Sequence, residues 1–248
     1  MAIKIQSTAD IEFVGVKCII YGGAGVGKTR TIATAPSPII ISAEQGLLSL
    51  MEVDVPYIEV SSLEDLNDAY NLLKKDNGQT YKTIGLDSLS EIAEVLIAQE
   101  LPKHKDGRQA YAALAQAMIP MLKKFRDLKG VNTVFSCKKI DVRDEESGTV
   151  TTEMLLPGNV LGSQVPYIVD ELFYMDVDRK GIPFLQVKPS RKVFAKDRSG
   201  ALDPNGVFAK DANSVPDMTA IFKAIADKIA KGKAKKVARP LKTRYSNP

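Results

Sequence analysis

Short apolar runs alternate with amphipathic stretches through the first 137 residues of this 248-residue chain. Val16, Cys18, Ile19 and Ile20 make the first run, Ile39-Ile40-Ile41 the second and Pro56–Val60 the third. Tyr81–Ser88, with an acid at its carboxyl end, makes the fourth, and Val131–Cys137 the fifth. Runs of this length, rich in β-branched residues and bounded by Gly or Pro, read as buried strands. Between them, helices are predicted over about 28–35 (ended by Pro36 and Pro38), 63–73, 89–101 and 109–129. The second of these has Ser61 and Ser62 as candidate caps, an acidic first turn, and Leu63, Leu66, Tyr70 and Leu73 on one face. Such alternation predicts an α/β fold with a mainly parallel sheet covered on both faces. After residue 137 the pattern changes. Residues 138–152 are charged and loop-like, and strands near 150–156, 170–177, 182–188 and 191–196 suggest antiparallel additions at one edge. A last amphipathic helix is expected over about 216–231, and no internal repeat is evident.

The first apolar run breaks into Gly22-Gly23-Ala24-Gly25-Val26-Gly27-Lys28-Thr29, followed by Arg30. This is the complete P-loop pattern, placed after a predicted strand and before a predicted helix. Glycines let backbone N–H groups approach phosphate oxygens, Lys28 supplies a point charge for the β- and γ-phosphates, and the Thr29 hydroxyl can ligate Mg²⁺. The helix that starts there adds the positive end of its dipole. ATP with Mg²⁺ is the expected ligand, with residues 22–30 as its binding segment.

Composition changes this picture little. The chain is 44% hydrophobic and 26% charged, ordinary for a globular domain, and no apolar run approaches the ~20 residues that cross a bilayer. The N-terminal Met-Ala-Ile-Lys-Ile-Gln lacks the apolar core of a secretion signal. Cys18 and Cys137 both fall in predicted core strands, which fits a reduced compartment, so a cytoplasmic location is expected. Two cysteines and the single His104 do not supply a structural zinc site or a His-based triad; His104 reads as a solvated loop residue. Charge is uneven: residues 231–248 carry seven cations (Lys231 to Arg244) and no acid, leaving the rest at −3 against a whole-chain +4. That tail is either a solvated end or a contact for a phosphate backbone.

Two acids extend the P-loop chemistry. Asp87 ends the fourth apolar run and fits a Walker B aspartate that holds Mg²⁺ directly or through water; as a strand-to-helix turn, Asp87-Ser88 also fits a helix N-cap. Glu44 follows the strand after the P-loop helix, where a carboxylate can accept a proton from attacking water; a solvent-facing loop glutamate has the same pattern. Many P-loop ATPases place that glutamate directly after the Walker B aspartate, where this chain has Ser88.

Glu44, Asp87-Ser88 and the order of strands around them resemble the core of RecA-type recombinases. The match is closer to the short phage ATPases of the Sak-type single-strand annealing branch, over roughly residues 14–200. The resemblance implies a RecA-like P-loop core in which Glu44 activates water and Asp87 with Thr29 holds Mg²⁺. It implies DNA contacts from the loops at 102–108 and 138–152, with Lys103, Lys105, Arg108, Lys138, Lys139 and Arg143 as phosphate partners, opposed in the second loop by Asp141, Asp144, Glu145 and Glu146. At the end of the fifth strand, where RecA proteins have a polar amide that senses the γ-phosphate, this chain offers Ser136, Cys137 and Lys138. Lys196-x-Arg198 resembles the pair that such cores project into a neighbour's active site.

The expected organisation is an arm over 1–13, an ATPase domain over 14–230 and a flexible basic tail over 231–248. The expected activity is DNA-stimulated ATP hydrolysis by a homo-oligomeric ring or filament. It would bind single-stranded DNA and promote annealing or recombination, with a single-strand-binding protein as a further partner, no membrane association, and an infected bacterial host if phage-encoded. Tyr21 stands where partitioning-type switch ATPases carry lysine, and no Arg-rich lid of a small-molecule kinase stands out. A replication-associated ATPase such as a helicase loader is the alternative, which the placement of Glu44 disfavours.

Overall fold

The computed structural model describes residues 12–43 and 47–237, the side chains of 233–237 aside. Along β1 (Lys17–Gly22), Ile19 and Tyr21 pack into the core on one face of the sheet, and Cys18 and Ile20 into the core on the other. The same division holds in β2 (Pro38–Ser42), with Ile39 and Ile41 opposite Ile40. It holds again in β5 (Asn132–Arg143), with Phe135 and Cys137 opposite Val134. Because both alternating positions are apolar, each strand needs cover on both sides, as the near-continuous apolar runs predict.

The first cover comes from α2 (Leu63–Asp76), α3 (Leu89–Glu100), α4 (Gly107–Arg126) and α5 (Asn159–Ile168). Leu66, Leu73, Ile92, Leu96, Met118 and Phe125 are among their buried residues there. The second comes from α1 (Lys28–Ala33) and α6 (Met218–Val237), through Ile32, Met218, Ile221, Phe222 and Ile225. Ser62 and Ser88 cap α2 and α3, accepting from Asp65 N at 3.1 Å and Glu91 N at 3.3 Å.

The remaining strands are β3 (Tyr57–Glu59), β4 (Thr83–Asp87), β6 (Val150–Met154), β7 (Glu171–Val177), β8 (Pro183–Gln186), β9 (Lys196–Asp197) and β10 (Val207–Phe208). The sheet runs β10-β8-β7-β1-β5-β4-β2-β3, with β6 paired to β5 and β9 to β7. From β7 to β3 every neighbouring pair is parallel, while β8, β9, β10 and β6 pair antiparallel. The helix-flanked, mainly parallel sheet with antiparallel edge strands is therefore the fold the sequence pattern predicts.

Four local expectations change, the first being the strand expected over 191–196, of which only β9 at Lys196–Asp197 and an isolated bridge at Val193 form. The strand expected over 170–177 among antiparallel additions is β7, a parallel neighbour of β1 in the middle of the sheet. It is parallel because α5, which the sequence reading missed, supplies the crossover before it. The charged loop expected over 138–152 is largely a hairpin: β5 continues to Arg143 and pairs with β6 from Lys139↔Met154 to Arg143↔Val150. The last helix, expected to end near 231, runs on as α6 through Val237; residues 238–248 and 1–11, most of the expected tail and arm, lie outside the described residues.

Candidate nucleotide site

Gly22 ends β1 beside β7, where an added Cβ would lie 2.2 Å from the Met175 carbonyl oxygen, so only glycine permits the approach. The chain then loops through 23–27 and enters α1 at Gly27, whose φ of 101° is a left-handed conformation that L side chains rarely adopt. Lys28 and Thr29 follow in the first turn of α1. The Lys28 ammonium donates to Gly22 O at 3.1 Å and Gly23 O at 2.7 Å, which holds its charge over the mouth of the loop.

Asp87, at the carboxyl end of β4, is 4% exposed and sits between two hydroxyls. Thr29 Oγ1 donates to its Oδ2 at 2.5 Å, and Ser136 Oγ donates to its Oδ1 in a short hydrogen bond. Register explains the convergence: Leu86 lies level with Phe135 on β5, which puts the next residues, Asp87 and Ser136, side by side. Asp87 thus faces Thr29 while its neighbour Ser88 caps α3, so the metal-ligand and cap patterns of the sequence fall on adjacent residues.

These groups line a cleft of about 730 Å³. One wall is the loop and α1 start, 22–30; the second is Asp87, Ser88, Lys138 and Lys139; the third is Val177, Gly181, Pro183, Ser214 and Val215. The third wall was not legible in the sequence, because it comes from the β7–β8 turn and a loop nearly 190 residues after the P-loop. Arg30 ties that loop to α1, donating to Asn213 O at 2.8 Å. The oxygens at Thr29 and Asp87 are hard donors at hydrogen-bond distance, and no cluster of three or more acids, histidines or cysteines occurs among the described residues. One hydroxyl and one carboxylate fit a Mg²⁺ that takes its other ligands from phosphates and water, not an all-protein metal cage.

The three sensor candidates part company. Ser136 is spent on Asp87. The Cys137 thiol is buried against Ser90 Oγ and Leu155 O, its pKa pushed up to about 12 chiefly by burial. Lys138 ion-pairs with Glu91 and, at 3.2 Å, with Glu94. Lys138 and Lys139, assigned by resemblance to a DNA loop, stand in the cleft wall; Lys139 pairs with Asp141 at 3.1 Å. Arg143 is exposed near the hairpin tip. Lys103 and His104 both contact Glu100, at 2.7 and 3.3 Å, while Lys105 and Arg108 are exposed.

Lys196 and Arg198 lie at the opposite edge of the sheet from their own P-loop, since β9 pairs with the start of β7. Lys196 donates to Pro166 O at 2.9 Å and Val169 O at 2.6 Å at the end of α5, and partial burial lowers its pKa. Arg198, 60% exposed at its side chain, pairs with Asp170 at 2.7 Å. Glu44 lies outside the described residues; β2 ends two residues before it at Ser42, which is level with Asp87.

A phosphate-sized loop at the carboxyl edge of a parallel sheet, with a lysine, a hydroxyl and an acid facing one cleft, defines a P-loop nucleotide-binding domain of ATPase type. The chain belongs to the family of AAA domains, whose model matches residues 14–199. No curated protein matches it. Among the described residues, no helix is long and apolar enough to cross a membrane.

Proposed function

We propose that this AAA-domain protein hydrolyses Mg-ATP and works on single-stranded DNA, promoting annealing or recombination. The observation that carries the ATPase part is the Thr29–Asp87 contact at 2.5 Å, which brings the hydroxyl and carboxylate of the two nucleotide motifs to one point beside Lys28. Mg²⁺ held there by Thr29 and Asp87 would neutralise charge on the phosphates. Lys28 offsets the charge that develops on the transferred group, and loop N–H groups orient it. Ser136 fixes the Asp87 carboxylate from behind. Glu44, which follows the strand level with Asp87, takes the proton of the attacking water. Of the cationic pair at residues 196 and 198, Arg198 is the one with an exposed guanidinium, so it is the group offered to a neighbouring subunit.

The DNA part is supported by the resemblance to single-strand annealing ATPases and by the exposed cations Lys105, Arg108 and Arg143. It is tested by ATP turnover with and without single-stranded DNA over a salt series. Stimulation at low salt that declines as salt rises is expected. Lys28→Ala should lose ATP binding, and Glu44→Gln should retain ATP while losing turnover by about a hundredfold or more. No stimulation at low salt would overturn the DNA assignment and favour a replication-type ATPase; intact ATP binding in Lys28→Ala would overturn the nucleotide site.

A further inference from the structure

The surface along α5 carries aromatic and cationic side chains that the nucleotide cleft does not use. Tyr167, in the last turn of α5, is 77% exposed. Across a groove of about 410 Å³ it faces the segment 190–194, which contributes Arg191, Lys192 and the 46% exposed Phe194. Neither Arg191 nor Lys192 has an ion-pair partner among the described residues. The one carboxylate lining the groove among those residues, Glu153, accepts from Thr151 Oγ1 at 3.3 Å.

The groove is held in shape by buried hydrogen bonds. Tyr21 donates its hydroxyl to Phe194 O at 2.6 Å and lies 3.3 Å from Thr152 O, and Thr152 N donates to Lys192 O at 2.6 Å. Lys196 fixes the far wall through the carbonyls of Pro166 and Val169. A ligand therefore meets walls already in place, which lowers the ordering cost of binding. At the other end of α5 the pairing of ring and cation repeats. Tyr111, 42% exposed, packs over Gly158, and Arg108 lies in the same depression. Ten residues of helix, about 15 Å, separate the two ends, with Val160, Ser163 and Tyr167 exposed along the way.

Exposed rings stack on any base face, and cations without acid partners take phosphates. A strand with unpaired bases offers both, whereas a duplex hides its base faces. We infer that the groove between α5 and residues 190–194 is a single-stranded DNA site, with Tyr167 as a stacking platform and Arg191 and Lys192 as phosphate contacts. This rests on the DNA-dependent reading above and extends it to a surface that adjoins the two loops indicated by resemblance, with Tyr167, Arg191 and Lys192 lying outside both.

The test is fluorescence anisotropy of a labelled oligo-dT over a salt series. Tyr167→Ala should bind about tenfold more weakly and Tyr167→Phe nearly as the parent. Arg191→Ala with Lys192→Ala should reduce the slope of log affinity against log salt by about 1.4. Tyr167 is exposed, so its truncation leaves the core intact, which a melting curve checks. If these variants bind as the parent does while Lys103→Ala with Lys105→Ala fails, the groove is refuted and the DNA function stands. If the parent itself does not bind at low salt, both fall together.

Discussion

Where Glu171 starts β7, its carboxyl has lost nearly all contact with water, at 1% exposure, and only Oε1 gains a backbone donor, Ser199 N at 3.1 Å. Its Oε2 is buried without a hydrogen-bond partner among the described residues. Burial first, and the neighbouring Asp197 second, raise its pKa from 4.5 to about 7. The folded state therefore holds this proton more tightly than the unfolded chain, and stability falls as pH rises from 4.5 through 7. Glu171→Gln should flatten that slope and stabilise the protein by about 2 kcal/mol at pH 8, read by urea unfolding at pH 5 and 8. No sequence signal marks Glu171, since a carboxylate at a strand start is usually solvated. That Thr29 and Asp87 converge was legible, because the P-loop and Walker B patterns place them at the carboxyl edge of the sheet. Ser136 was visible only as one of three polar residues; its role depends on the register of β4 against β5, which no local pattern encodes.

Among the elements, those with one clean apolar face were readable and those that break local rules were not. In α5, Leu161, Val165 and Ile168 are buried at helical spacing, but Gly162 and Pro166 inside the helix mask the signal. The hairpin of β5 and β6 projects from the body of the sheet, so Ile140, Val142 and Val150 stay about 40% exposed and no buried alternation develops. By contrast α6 was expected, although its partner was not. It docks on the end of α1, where Met218 N donates to Thr34 Oγ1 at 2.8 Å and Thr219 Oγ1 to Thr34 O at 2.6 Å. Phe222, 5% exposed, packs in the core on that face. Phe222→Ala should cost about 3–4 kcal/mol in chemical denaturation, and the loosened α6 should also weaken ATP binding through α1.

For the molecule as a whole, alternation of strands and helices was enough to give the sheet and its two covers, yet not the strand order. The parallel placement of β7 beside β1 sends the 196–198 segment to the edge opposite the P-loop, so the catalytic role proposed for Arg198 requires another subunit's cleft. Arg198→Ala assemblies should hydrolyse ATP poorly. Mixing them with Glu44→Gln subunits should restore turnover, because each supplies what the other lacks; a steady-state ATPase assay of the mixture, with no recovery, would exclude a role in trans. One hydroxyl described above reaches further. Tyr21 stands one residue before the P-loop, and its phenol oxygen holds the segment that forms the groove beside α5. Both sites therefore hang on the same stiff strand. Whatever factor a bound nucleotide imposes on the affinity of that groove, a strand lying in the groove must impose on the nucleotide. Under the function proposed here, fuel and track therefore shift each other's binding by one and the same factor.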